Sequence, residues 1–341
     1  MATDSKELVL VTGGTGFLAA HCIIRCLAAG YRVRTTVRSL KRKDEVVNML
    51  KAGKATNIDD VSYVEADLLK DDGWHEAVKD CMYPAPPKHD DELIVPARDG
   101  TLRVLRASRD AGVKRVVVTS SMAAVTGGNG SRDASNPFTE DDWTDVDKPG
   151  VGAYEKSKTL AERAAWDFIK NEGGKLELST VNPCTVLGPV LSKDSSTSIE
   201  IIIRLMNGAI PGCPNLNFTI VDVRDVADLH YLAMTNPKAS GERFVCVGPP
   251  RGYWIYEMSR ILREKLGHKA RRAPTRQLPD FLLRTISWFD SSVALVCPML
   301  GLQHAASTKK AETLLGWAPR TVEESIVASA ESLIEFGVVK A

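Results

Sequence analysis

Residues 8–11, Leu-Val-Leu-Val, form a short apolar run that gives way at once to Thr12-Gly13-Gly14-Thr15-Gly16-Phe17-Leu18-Ala19. No other feature constrains the fold as strongly. A run that is apolar at consecutive positions fits a strand buried on both faces. The small residues after it allow a tight turn into a helix that packs close to the strand. Gly13, Gly16 and Ala19 have the spacing of a turn that brings backbone N–H groups against a pyrophosphate. The helix N-terminus adds a partial positive charge there. The plain alternative is a glycine-rich turn with no ligand, and the strand–turn–helix context weighs against it.

The pattern then repeats. Spacing predicts a helix over 17–29 stopped by Gly30, a strand over 31–37, a helix over 43–51 and a strand over 61–65. A short helix over 73–79 and a longer one over 92–111 follow, then a strand over 115–119, a long helix over 152–171 and a strand over 176–181. Such alternation implies a parallel sheet with right-handed crossovers. Beyond Pro183, Pro and Gly become frequent (Pro189, Pro211, Gly212, Pro214, Pro249, Pro250, Gly252), and helices dominate from Tyr256 onward. The expected fold is α/β: a doubly wound parallel sheet over 1–183, with some later segments returning to it. Residues 184–341 are expected to form mainly a smaller, C-terminal substrate subdomain.

One stretch departs from this plan. The doubly wound strand order 3-2-1-4-5-6 needs its fourth strand after residue 79. Residues 80–88 read Asp-Cys-Met-Tyr-Pro-Ala-Pro-Pro-Lys, with no apolar run and three prolines. Proline has no N–H to give a central strand. Without that strand its two neighbours lose their shared partner, leaving buried backbone groups unpaired. Three readings stay open: residues missing between Cys81 and Met82, a natural or engineered deletion, or a sheet that closes up another way. The first is favoured, and predicts Cα atoms of Cys81 and Met82 farther apart than the ~3.8 Å of one peptide.

Composition excludes several classes. At 341 residues the chain exceeds one small core. Its 44% apolar and 26% charged residues are ordinary for a soluble globular protein. A net charge of +1 provides no bulk field to recruit nucleic acid or anionic lipid. Seven scattered cysteines without a CxxC pair argue against a disulfide framework or zinc site and fit reduced thiols in the cytoplasm. The polar segment 1–7 does not read as a signal peptide. The apolar stretch 293–300, broken by Pro298, is far too short to span a bilayer. The expected partner is a small molecule, with no metal, nucleic acid or membrane.

Two further groups carry chemistry. After the strand over 31–37 comes Arg38, with Lys41 and Arg42 close behind and no acid before Asp44. A carboxylate at that point suits the ribose hydroxyls of NAD; a guanidinium suits the 2′-phosphate of NADP. NADP is therefore favoured, the alternative being a solvated basic loop. Asp67-Leu68 after the third strand suits an adenine amino group, unless Asp67 merely caps the next helix. Tyr154 and Lys158 stand four apart at the start of a predicted helix, on one face. An ammonium beside a phenol favours the phenolate and lowers its pKa. Ser121, after the strand over 115–119, can offer a hydroxyl to a carbonyl. Tyr-x-x-x-Lys alone is common; a glycine turn, this serine and this pair in that order are jointly specific.

With TGGTGFLAAH, TVRS, EADLL, VVVTSS, AYEKSK, VNPCTVLGP, VDVRDVADLH and the ending LGWAPRTVEESI, the sequence resembles an extended short-chain dehydrogenase/reductase. Within that group it is similar to the dihydroflavonol and cinnamoyl-CoA reductases and their microbial aldehyde and ketone reductase relatives. The resemblance implies a Rossmann fold and a catalytic set of Ser121, Tyr154 and Lys158. It implies NADP contacts at Thr12, Gly13, Thr15, Gly16, Phe17 and Leu18, at Arg38, at Asp67 and Leu68, and at Thr119, Tyr154 and Lys158. Pro183, Thr185 and Val186 would flank the nicotinamide. It also implies a homodimer through the helices near 92–111 and 152–171.

The leading expectation is hydride transfer between NADPH and an aldehyde or ketone, or alcohol oxidation in reverse. One rival is an NAD-dependent nucleotide-sugar epimerase or dehydratase, which favours an acid where Arg38 stands. The other is a non-catalytic NADP-sensing protein, which has no need of the Tyr–Lys pair. Weaker signals read as structural: His21 and His230 as solvated or core residues, Cys22 and Cys26 as small buried hydrophobes. Arg224 reads as an ion pair with a flanking acid, and Tyr253, Trp254, Trp288 and Phe289 as core.

Overall fold

The structure is a computed structural model and describes residues 6–70, 72–78, 91–194, 196–248, 252–288 and 296–340. Strand β1 (Leu8–Val11) leads through the glycine turn into helix α1 (Phe17–Ala28). There follow β2 (Arg32–Val37), α2 (Lys43–Ala52), β3 (Val61–Glu65), α3 (Trp74–Val78) and α4 (Asp91–Asp110). Then come β4 (Arg115–Thr119), α5 (Ala123–Thr126), α6 (Ala153–Glu172), β5 (Glu177–Pro183) and β6 (Thr185–Leu187). The remainder is α7 (Glu200–Asn207), β7 (Asn217–Phe218), β8 (Ile220–Asp222), α8 (Val223–Thr235), β9 (Arg243–Cys246), β10 (Tyr253–Trp254), α9 (Ile255–Leu266) and α10 (Asp280–Ile286). Helices α11 (Lys309–Leu315) and α12 (Val322–Glu335) complete the order. Each element predicted over 8–181 that falls within the described residues is present, with ends shifted by a residue or two, as helix fraying and cap geometry allow.

The main strands are parallel. They form two runs, β1-β2-β3 and β4-β5-β9. Strand β9 comes from far beyond residue 184 and pairs Phe244 with Val181, so a later segment does return to the sheet. Among the described residues no strand lies between β1 and β4. Residues 80–88, and with them the expected Cys81–Met82 separation, lie outside the described residues. The two runs nevertheless share their cores. Val9 and Val11 of β1 join Val117 of β4 on one face, under α1 and α8. Leu10 joins Val116 and Val118 on the other, under α4 and α6. Period-two alternation in both strands thus sends odd positions to one helical layer and even positions to the other. A small cavity of about 20 Å³ remains between Val9, Val11 and Val117.

A second core lies to the side. Ile202 and Leu205 of α7, Met258 and Leu262 of α9 and Ile326 and Leu333 of α12 are all buried in it. Apolar residues at three- and four-residue spacing give each helix one inward stripe. Helix α12 starts at a capping box in which Thr321 and Glu324 satisfy each other's backbone N–H groups. Farther along, its Ser329 and Ser332 hydroxyls accept from the N–H groups of Gly188 and Val190. The last segments are also clasped to α8: Asp225 pairs with Arg320, and Trp317 Nε1 donates to the Asp225 carbonyl at 2.9 Å.

The weaker signals divide. Arg224 makes a bidentate ion pair with Asp222, both bonds 2.8 Å. His21, His230, Cys22 and Cys26 are buried. Trp288 is not core: it is 81% exposed, just beyond α10. An aromatic next to a helix end has no obligatory inward face, and sequence spacing cannot assign one. Phe289 lies outside the described residues.

Candidate active site

The glycine turn is held by β2. The Gly13 N–H donates to Thr36 Oγ1 at 2.9 Å, and the Gly14 N–H donates to the Thr36 carbonyl at 2.9 Å. Gly13 has φ +66°, a left-handed conformation that glycine adopts without a Cβ penalty. Gly14 is needed for a different reason: a Cβ there would stand 2.3 Å from Thr35 Oγ1. Sequence spacing singled out Gly13 and Gly16; the constraint at Gly14 depends on the Thr35 side chain and was missed. Gly16 caps α1 without a side-chain bond, so the first-turn N–H groups face the turn.

Beside this turn lies a cavity of about 420 Å³. Seven expected cofactor contacts line it: Thr12, Gly13, Thr15, Gly16, Arg38, Asp67 and Leu68. Thr36, Val37, Ala66, Leu69, Trp74 and Pro96 line it too and were not anticipated. Trp74 is fixed there by an Nε1 bond to the Asp67 carbonyl at 2.9 Å. Arg38 is exposed. Its neighbour Arg42 pairs with Glu45 at 2.6 Å, whereas Arg38 has no ion pair among the described residues. The Asp67 carboxylate accepts from the Leu69 N–H at 3.1 Å, which caps its own turn rather than α3.

These residues, and the reactive set, all follow the carboxyl ends of parallel strands, the edge at which open α/β sheets bind ligands. Thr12 follows β1, Arg38 follows β2, Asp67 follows β3, and Ser121 follows β4. Tyr154 and Lys158 enter on the first turns of α6. The structure brings the three together: the Ser121 side chain is near enough to the Tyr154 phenol to lower its pKa, and Lys158 Nζ lies 5.9 Å from the Tyr154 ring centroid. Lys158 is 7% exposed, whereas Tyr154 is 47% exposed and open to a substrate. Protein packed around the phenol still raises its pKa above the ordinary value; the nearby Ser121 side chain opposes this, and Glu155 adds to the rise. The lowered pKa expected of this phenol is therefore not found: burial moves it the other way. The phenol keeps its proton through neutral pH, as a proton donor requires.

Other expected contacts stand apart from the cavity. Phe17 packs edge-to-face on His21, centroids 5.6 Å apart. Leu18 packs against the core beneath α1. Thr119 Oγ1 is hydrogen-bonded to His230 Nε2 at 2.8 Å. Pro183 ends β5, and Thr185 and Val186 pair with Ile220 and Val221 of β8.

A parallel sheet with a glycine turn at its first strand end and a cavity beside it at the ends of β1, β2 and β3 defines a Rossmann-fold nucleotide-binding protein. The chain belongs to the NAD dependent epimerase/dehydratase family, the extended short-chain dehydrogenase/reductases, whose model matches residues 9–248. It is 36% identical over 293 residues to cinnamoyl-CoA reductase CAD2 of Medicago truncatula, covering 82% of this chain and 85% of the relative. It is 34% identical over 273 residues to a putative NADPH-dependent methylglyoxal reductase, GRP2, of Candida albicans, covering 72% and 80%. The fold is similar to that of yeast methylglyoxal/isovaleraldehyde reductase Gre2 complexed with NADPH, at TM-score 0.77 and 26% identity over 97% of this chain and 99% of that one.

Proposed function

We propose that this chain is an NADPH-dependent carbonyl reductase acting on aldehydes or ketones. One observation carries the reading: Tyr154 with Lys158 buried 5.9 Å from its ring and Ser121 near its phenol, at the same strand ends as the glycine turn. The residues present fit the cofactor. The turn excludes a Cβ at Gly14, the α1 N-terminus offers N–H groups to phosphates, and Arg38 at the cavity rim suits a 2′-phosphate. When bound, NADPH supplies a hydride to the carbonyl carbon. Tyr154 gives its proton to the carbonyl oxygen as negative charge develops there, and the Ser121 hydroxyl donates a second bond. Lys158 stabilises the phenolate left behind and suits a ribose hydroxyl. In reverse the phenolate takes the proton of an alcohol.

The family takes its name from NAD; the basic residue at the end of β2 favours NADP, and of the relatives above one is a putative NADPH-dependent reductase and another is known in complex with NADPH. The reading includes a substrate subdomain drawn mainly from residues beyond 184, a cytoplasmic location and a homodimer through α4 and α6. No helix among the described residues is long and apolar enough to cross a membrane. The test is NADPH depletion over aryl ketones, aliphatic aldehydes and flavonoid-like ketones, with NADH in parallel. Faster NADPH consumption with at least one carbonyl is expected. No net consumption with any would instead favour the epimerase or dehydratase chemistry.

A further inference from the structure

We propose that Glu162 is a positioning residue for the proton-donating pair. This inference rests on the reductase reading above. Tyr154, Lys158 and Glu162 occupy successive turns of α6, but Glu162 points into protein: its side chain is 0% exposed. Its carboxylate accepts on both oxygens. Oε2 takes Ser120 Oγ at 2.5 Å and Asn182 Nδ2 at 2.7 Å. Oε1 takes Arg243 Nε at 2.7 Å and Thr180 Oγ1 at 3.0 Å. That fills the lone-pair directions of a carboxylate.

The partners are what give this cluster a role in the reaction. Ser120 is the neighbour of Ser121. Asn182 Nδ2 also donates to the Ser121 carbonyl at 3.2 Å. The loop is tied to β5 on either side, by Ser120 N–H to Val181 O at 2.8 Å and Met122 N–H to Pro183 O at 2.9 Å. One carboxylate therefore joins the helix that carries Tyr154 to the loop that carries Ser121. Its charge is balanced by Arg243, whose guanidinium carbon lies 3.6 Å from the Trp143 ring centroid and whose Nη1 donates to the Glu140 carbonyl at 2.5 Å. A buried charge held by an aligned cation and four neutral donors, the fourth being Trp166 Nε1 at 3.4 Å, is rigid, because any displacement breaks several bonds at once. Rigidity matters here because Ser121 and Tyr154 must meet one carbonyl oxygen together.

The test compares Glu162→Gln, Ser120→Ala and Ser179→Ala. The amide of Glu162→Gln presents a donor where Ser120 and Asn182, or Arg243 and Thr180, also donate. Ser120→Ala removes only the direct link from Glu162 to the loop and leaves the one through Asn182. Ser179→Ala removes a buried bond on β5 that goes elsewhere, to the Ala239 carbonyl at 2.5 Å, and serves as the comparison. With a carbonyl that the wild type reduces, the expected result is a kcat lowered about tenfold or more in Glu162→Gln and several-fold in Ser120→Ala, with NADPH Kd nearly unchanged. Ser179→Ala keeps its kcat despite a lower Tm. Wild-type kcat in Ser120→Ala overturns the proposal, and so does a loss of NADPH binding in step with kcat. If Glu162→Gln does not fold, Ser120→Ala decides. A wild type that binds NADPH and reduces no carbonyl refutes the functional reading, and this inference falls with it.

Discussion

Arg38 shows how one side chain can set a preference between two cofactors. It stands at the end of β2, lines the cavity, and has no ion pair among the described residues, while Arg42 beside it is committed to Glu45. A guanidinium in that position has its donors available for a phosphate monoester. A charge-assisted bond of this kind contributes about 1.5–3 kcal/mol, or roughly ten- to a hundredfold in affinity. Arg38→Ala is therefore expected to weaken NADPH binding by about that factor and to leave NADH binding nearly as it was. Titration of cofactor fluorescence measures both; equal losses for the two cofactors would contradict the assignment. Glu162 makes the complementary point. In the run Leu160-Ala161-Glu162-Arg163 it reads as an ordinary charged helix residue, because its partner Arg243 is distant in sequence and their meeting depends on the sheet. Arg38 was legible because its role follows from the strand just before it.

At the scale of elements, two histidines join secondary structures that the chain brings together late. His230 of α8 bonds Thr119 at the end of β4 and the Val226 carbonyl, each at 2.8 Å. His21 of α1 bonds the Pro189 carbonyl at 3.0 Å. Burial holds both imidazoles neutral and lowers each pKa to about 4. A depressed folded value means that stability is full above the unfolded value near 6.5 and is lost as pH falls toward 4, about 3 kcal/mol for each group. Asp225 acts in the opposite sense. Burial raises its pKa to about 6 despite Arg320, so its contribution is full below about 4 and is lost as pH rises through about 6. Two histidines outweigh one carboxyl. Tm is expected to fall between pH 6.5 and 4, and His230→Gln is expected to flatten that slope; an unchanged slope would contradict the burial argument. The elements themselves were legible where the apolar period was clean, as in β1, β4 and α6. The pairing of β9 with β5 was foreseen only as a later return to the sheet, since register between distant strands is not written in either one.

For the molecule as a whole, two three-stranded parallel runs share one set of cores, and the reactive groups gather at one edge of both. Among the described residues no strand joins β1 to β4, and residues 80–88, where the sequence argued against one, lie outside them. The edge is nonetheless complete in the parts that matter to proton transfer: the turn after β1, the serine after β4 and the tyrosine of α6. These parts were readable because each sits in a short motif. The walls of the cavity were not, since Trp74 and Pro96 reach it from helices whose placement depends on the full fold. The most direct test of the account is Tyr154→Phe, assayed for NADPH consumption with an accepted carbonyl and, separately, for NADPH binding. Loss of turnover with binding nearly intact is the predicted result; turnover equal to that of the wild type would contradict it.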